Sequence, residues 1–196
     1  KIFEGLPTAG LPPVLRNFSE FQKLMRTLKK AKSIESIREV WWDIRPHPRF
    51  GTVEIRVFDS VPTIEHITAL SALSQLLVVM LSKDYDNGFQ QSLLDSWIVR
   101  ENKWRATRYG IDAKIIIDNE GNEETLKKFI FKTFDKLASL SIELNSQNYI
   151  NFLKKMINED LIPYKVQKEI FNNSKDFKEI LLLSINQLKA ENIYYD

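Results

Sequence analysis

The chain contains no cysteine and only two histidines in 196 residues. The first absence excludes disulfides, thiolate nucleophiles and cysteine-held metals. The second leaves His47 and His66, which are too few for a histidine-built zinc centre and are not spaced as a helical pair. Charge of one sign is also scarce: Lys+Arg number 28 against 26 Asp+Glu, a net of +2. No basic field therefore spreads over the chain to hold a nucleic acid. Long hydrophobic runs are missing too. The longest apolar stretch, 69–81, is broken by Ser71, Ser74 and Gln75 and falls short of the roughly 20 residues that cross a bilayer, so no membrane is expected as a partner. The N-terminus lacks the basic-then-apolar pattern of a signal peptide, which makes a cytoplasmic location the expectation. It starts at Lys1 rather than methionine and reads as a fragment, a processed piece or one of two chains.

What is present is an ordinary globular composition, 43% hydrophobic and 28% charged, enough for one domain or one lobe with a real core. Residues 1–16 carry Gly5, Pro7, Gly10, Pro12 and Pro13 and read as a loop. Phe18, Phe21, Met25 and Leu28 recur at helical spacing over 17–30, with Ser19 and Gln22 placed for a capping box. Thr63 caps a long apolar helix to about residue 83, striped by Ile64, Ile67, Leu70, Leu73, Leu77 and Met80, and apolar enough elsewhere to be buried on more than one side. A turn at 84–88 leads to a second long helix, 89–109, which Gly110 ends. A β-branched run at 114–118 and a turn at 119–122 follow. The remainder is helical and chemically plain, with Leu126, Ile130, Phe134 and Leu137 lining one helix. Phe177, Ile180, Leu181, Ser184, Ile185 and Leu188 line the last.

The densest chemistry lies in Trp41-Trp42-Asp43-Ile44-Arg45-Pro46 and Gly51-Thr52-Val53-Glu54-Ile55-Arg56, two strand-like runs around a Pro-His-Pro turn. Successive strand side chains alternate faces, so Val53, Ile55 and Val57 share one face while Thr52, Glu54 and Arg56 share the other. With 46–51 as the turn, Arg45 faces Thr52 and Asp43 faces Glu54, which gathers Asp43, Arg45, Glu54 and Arg56 on one patch. Trp42 and Ile44 then join the valines on the core side. Spacing alone favours cross-strand ion pairs on a solvated face. A second cluster, Arg100, Lys103, Arg105 and Arg108, sets four cations within nine residues against one acid, Glu101. Glu101 and Arg105 form an ordinary i,i+4 pair. The plain reading is a solvated basic helix with Lys103 a surface charge and Trp104 packed inward.

Four ordered blocks change the weighing. Leu6-Pro7-Thr8-Ala9-Gly10, the two hairpin runs and Glu101-Asn102-Lys103-Trp104-Arg105-Ala106-Thr107-Arg108-Tyr109-Gly110 together resemble the C-terminal half of bacterial carboxylate–amine ligases of the glutamate–cysteine ligase type 2 family. That resemblance implies an ATP-dependent ligase working through an acyl phosphate, with ATP and Mg²⁺ as cofactors and glutamate and an amine such as cysteine as substrates. It implies Glu54 as a metal ligand with Asp43 nearby, and Arg45 and Arg56 as catalytic and nucleotide contacts. Asn102, Arg105, Arg108 and the Thr8 hydroxyl become candidate substrate contacts, while His47 stays a turn residue.

The implied fold is α+β: part of an antiparallel sheet of glutamine-synthetase-like type backed by long helices, with a helical C-terminal region. The expected division is a catalytic lobe at 1–118 and a helical scaffold at 119–196. Two features depart from the family pattern. The acidic cluster that such ligases carry near their N-terminus is not matched, and the tail run Tyr164-Lys165-Val166-Gln167-Lys168 stands where an arginine-rich block is common. A partner is therefore expected at the exposed sheet edge, either the missing half or another subunit in a homo-oligomer. The alternative is a truncated lobe that folds or binds a partner without catalysing.

Overall fold

A computed structural model of the chain describes residues 2–89 and 93–191. In order the elements are β1 (Ala9–Gly10), α1 (Phe18–Lys30), β2 (Trp41–Trp42), β3 (Ile44–His47), β4 (Thr52–Ile55), α2 (Ile64–Asp86), α3 (Ser96–Tyr109), β5 (Lys114–Ile116), β6 (Glu123–Thr125), α4 (Leu126–Lys136), α5 (Ala138–Glu143), α6 (Gln147–Asn158), α7 (Pro163–Ser174) and α8 (Phe177–Glu191). The mixture of helix and strand matches the expectation, but the strands do not form one sheet. Among the described residues they make three two-stranded pieces: β1–β2 is parallel, β3–β4 and β5–β6 antiparallel. The backbone bends at Asp43, handing Trp41 and Trp42 to β1 and everything after it to β4.

Two compact units interleave in the sequence: Lys1–Asp59 with Asp95–Arg108, and Ser60–Leu94 with Tyr109–Asp196. A single break after residue 118 does not describe this division, because α2 packs on α5 and α6 and so joins the later helices.

The first unit is built around Phe21, Ile34, Val40 and Trp42, with Leu24, Met25 and Leu28 packed against them. The stripe read along α1 supplies most of this core, though Phe18 at its start is exposed. Asn17, not Ser19, caps the helix: its side chain accepts from the Glu20 amide at 3.0 Å, and the Glu20 carboxylate reaches back to the Arg16 amide at 2.8 Å. α3 starts at Ser96 rather than at 89; residues 90–92 lie outside the described residues.

The second unit packs α2, α4, α5 and α6 around Ala69, Leu76, Phe134, Leu137, Ile150 and Leu153. Thr63 caps α2 as expected, accepting from the His66 amide at 3.2 Å. The fully buried residues of α2 are Ala69, Ala72 and Leu76; of the expected stripe, Leu70, Leu73, Leu77 and Met80 pack half-buried against the core, while Ile64 and Ile67 are exposed. At 23 residues α2 outruns its uninterrupted apolar stretch. By length and composition alone it is the one described helix that could cross a membrane.

Candidate functional site

The hairpin β3–β4 pairs Arg45 with Glu54, Ile44 with Ile55, Pro46 with Val53 and His47 with Thr52. The turn is thus shorter than 46–51, and the register shifts by two residues. A shift of two preserves side-chain parity, so Arg45 and Glu54 still share a face. What reverses is the burial. Arg45 on the charged face is only 6% exposed, whereas Ile44 and Val53 on the apolar face are 47% and 52% exposed. Trp42 is buried, but in the α1 core rather than beside the valines, because the Asp43 bend breaks the alternation.

Arg45 explains the inversion. Its Nε donates to Glu54 Oε2 at 2.7 Å, and its Nη1 donates to the carbonyls of Ile37, Arg38 and Val40 at 2.9, 3.2 and 2.7 Å. Those carbonyls close the 3₁₀ turn Ile37–Glu39, itself held by a capping box between Ser36 and Glu39. A guanidinium is the side chain best shaped to satisfy several inward carbonyls at once. Arg45 therefore packs inward against this turn, while Ile44 and Val53 on the other face are left exposed.

Glu54 accepts from both arginines, Arg45 on Oε2 and Arg56 Nη1 on Oε1 at 2.5 Å. The Arg45 hydrogen bond, aided by Arg56 and opposed by partial burial, holds the Glu54 carboxyl below the ordinary glutamate range. Arg56 also lies over the Trp41 ring, 5.1 Å from its centroid, and its side chain remains 31% exposed. A guanidinium fixed on one edge by a carboxylate and on one face by an indole is preorganised to meet an anion.

The other candidate residues are placed as follows. Asp43 accepts from Lys103 Nζ at 2.6 Å, and Lys103 also pairs with Glu4. Lys103 is thus no surface charge: its side chain is 16% exposed. Trp104, expected inside, is 43% exposed. Burial works against the charge on Lys103, but Asp43 and Glu4 outweigh it and raise its pKa above the ordinary lysine value. Thr8 donates its hydroxyl to the Glu39 carbonyl at 2.8 Å, so it secures the 3₁₀ turn. Arg105 Nε donates to Glu101 at 2.9 Å, the helical pair read from spacing. Asn102 is half-buried on α3, and Arg108 is exposed in its last turn. Arg45, Glu54 and Arg56 form one network. Asp43 belongs to a second one with Lys103 and Glu4. Lys103, Glu4 and the Trp41 platform were not singled out by spacing, since nothing in a run of helical cations marks which one is buried.

A Mg²⁺ ion asks for several hard oxygens. Among the described residues no three acidic or histidine side chains converge on such a site. Both Glu54 oxygens are engaged by arginine and the Asp43 carboxylate by lysine. These residues do not by themselves make a magnesium site.

Comparison with known proteins agrees on one family. Residues 1–166 match the model of glutamate–cysteine ligase family 2. A protein named "Putative glutamate--cysteine ligase 2" from Thermobifida fusca is 39% identical over 189 residues, covering 96% of this chain and 47% of its own length. A namesake from Bdellovibrio bacteriovorus is 36% identical over 182 residues, covering 92% of the chain and 47% of its own length. A relative in Frankia alni reaches 44% over 145 residues, or 74% of the chain and 38% of its own length. The chain spans about half the length of the curated relatives it matches.

Proposed function

The chain belongs to glutamate–cysteine ligase family 2, and from that premise we propose that it supplies the arginine side of the active site of an ATP-dependent carboxylate–amine ligase. Arg56 carries the reading: it is clamped by Glu54 and Trp41 and still partly open to solvent. In the reaction, a substrate carboxylate oxygen attacks the γ-phosphorus of ATP and ADP leaves. The amine nitrogen then attacks the acyl carbon, phosphate departs and the nitrogen loses a proton. Charge accumulates on the transferred phosphoryl oxygens, which is where a fixed guanidinium lowers the barrier. Arg56 meets that charge. Arg45, bound to three carbonyls, holds Glu54 in place rather than reaching substrate. Glu54, both of whose oxygens are held by arginine, orients Arg56; a Mg²⁺ ion that neutralises phosphate charge would need other carboxylates. Asn102, Arg105 and Arg108 are proposed to contact glutamate or the amine, cysteine being the one the family name suggests. A glutamine-synthetase-like sheet would be assembled from this hairpin together with strands from outside the chain.

The second reading is a lobe that binds a partner without turnover. The engagement of both Glu54 oxygens and the Asp43 carboxylate by cations favours it. The test is ADP release from MgATP on adding glutamate and cysteine, run on this chain and its Arg56→Ala variant. Amine-dependent release that the variant loses supports the ligase. Absence of release from both turns the reading to the non-catalytic lobe.

A further inference from the structure

Three segments far apart in sequence meet at one ammonium. Lys103 of α3 pairs with Asp43 at the bend before β3 and with Glu4 of the N-terminal 3₁₀ turn, and all three side chains are at least three-quarters buried. Asp43 is a node of the backbone as well. Its amide donates to the Gly10 carbonyl at 2.8 Å, and its own carbonyl accepts from the Arg56 amide at 2.7 Å. Glu4 lies over the other end of the same connection. Its Cγ is 3.1 Å from where a Cβ would stand on Gly10, whose φ of +90° also demands glycine. One cation thus fastens both sides of the peptide link from Gly10 through Asp43 to Arg56.

We propose that Lys103 is a positioning residue for Arg56, acting through Asp43. Asp43 accordingly serves as the counter-ion of Lys103. The Arg56 backbone is pinned by Asp43 while its guanidinium is steered by Glu54 and Trp41, so the side chain is held at root and tip. Removing the ammonium leaves two mostly buried carboxylates facing each other, and the bend at Asp43 must relax to let water reach them. The residue that moves with the bend is Arg56.

The consequence for anion binding rests on the function proposed above; the position of Arg56 does not, and the experiment reads the two separately. The Arg56 Nε–Hε resonance is followed in the whole chain, in Lys103→Met, in Lys103→Arg and in Asp43→Asn, each titrated with inorganic pyrophosphate. The resonance should shift in Lys103→Met and Asp43→Asn and return in Lys103→Arg. Pyrophosphate affinity should fall about tenfold in the first two, the scale of one lost charge-assisted contact. A folded Lys103→Met that keeps both the resonance and the affinity overturns the proposal. If Lys103→Met does not fold, the near-isosteric Asp43→Asn decides on the same two readings. If the parent chain ignores pyrophosphate, the ligase reading loses its support, and the resonance alone still decides the role of Lys103.

Discussion

Arg45 is the residue on which the hairpin depends. It is buried and satisfies one carboxylate and three carbonyls. Arg45→Met keeps much of the stem but strands those acceptors and leaves Glu54 with one cation. Glu54 is about a third exposed, so water takes up part of its loss, and the cost lies chiefly in the stranded carbonyls, about 1–3 kcal/mol; the urea midpoint of the first unit should fall accordingly. Arg45→Lys should recover little, because a point charge cannot reach Glu54 and the carbonyls together. Glu54 adds a pH signature. Its folded pKa lies below the unfolded value, so its contribution is complete above the unfolded pKa of about 4.3 and is lost as pH falls through the lower folded one. Acid should therefore weaken the parent more than Glu54→Gln between pH 5 and pH 3, by roughly the difference in bound protons. Equal pH slopes for the two proteins would show that the clamp is not coupled to folding.

At the scale of elements, a second lock closes the junction after α3. Gly110 has φ +60°, and a side chain there would strike the Tyr164 ring and hydroxyl. The same hydroxyl accepts from the Ile111 amide at 3.1 Å. Gly110→Ala combines left-handed strain with that collision and should cost about 1–3 kcal/mol, while Tyr164→Phe should cost about 0.5–1.5 kcal/mol for one hydrogen bond. The pair must be non-additive, since Tyr164→Ala removes the obstacle; thermal midpoints of the double variant that equal the sum of the singles would dismiss the lock. Gly110 as the end of α3 was legible in the sequence; Tyr164 as the reason for its size was not, because 53 positions separate them. The same limit governs the hairpin. Alternation sorted Arg45, Glu54 and Arg56 onto one face correctly, because strand parity is local. That Arg45 is buried while Ile44 and Val53 are exposed was decided by the carbonyls of Ile37, Arg38 and Val40, which strand alternation does not reveal. Likewise, helical spacing found the line of α4 and most of the core-facing line of α2, missing only that Ile64 and Ile67 at its start are exposed.

At the scale of the molecule, the distribution of probes makes the two units separable. All four tryptophans, Trp41, Trp42, Trp97 and Trp104, belong to the first unit, whereas α2 and α4–α8 belong to the second. Tryptophan emission therefore reports the unit holding Arg45, Glu54 and Lys103, and far-UV ellipticity mainly reports the other. The second unit also has carboxylates held below their ordinary range, Asp118 by the Asn122 side chain and Asp160 by Lys165. These stand in solvent, where screening leaves such pairs little weight in folding. The acid-sensitive coupling is thus concentrated in the first unit, and an alkaline one joins it there. The Lys103 contribution is complete below the unfolded lysine pKa of about 10.4 and is lost only as pH rises through the higher folded value. Urea unfolding at pH 3.5 should show the emission midpoint falling well before the ellipticity midpoint, with the two closer together at pH 7. Lys103→Met should separate them at neutral pH as well. Midpoints that stay coincident under all three conditions would mean that the chain unfolds as one cooperative body, and that ion pairs in one unit stabilise both.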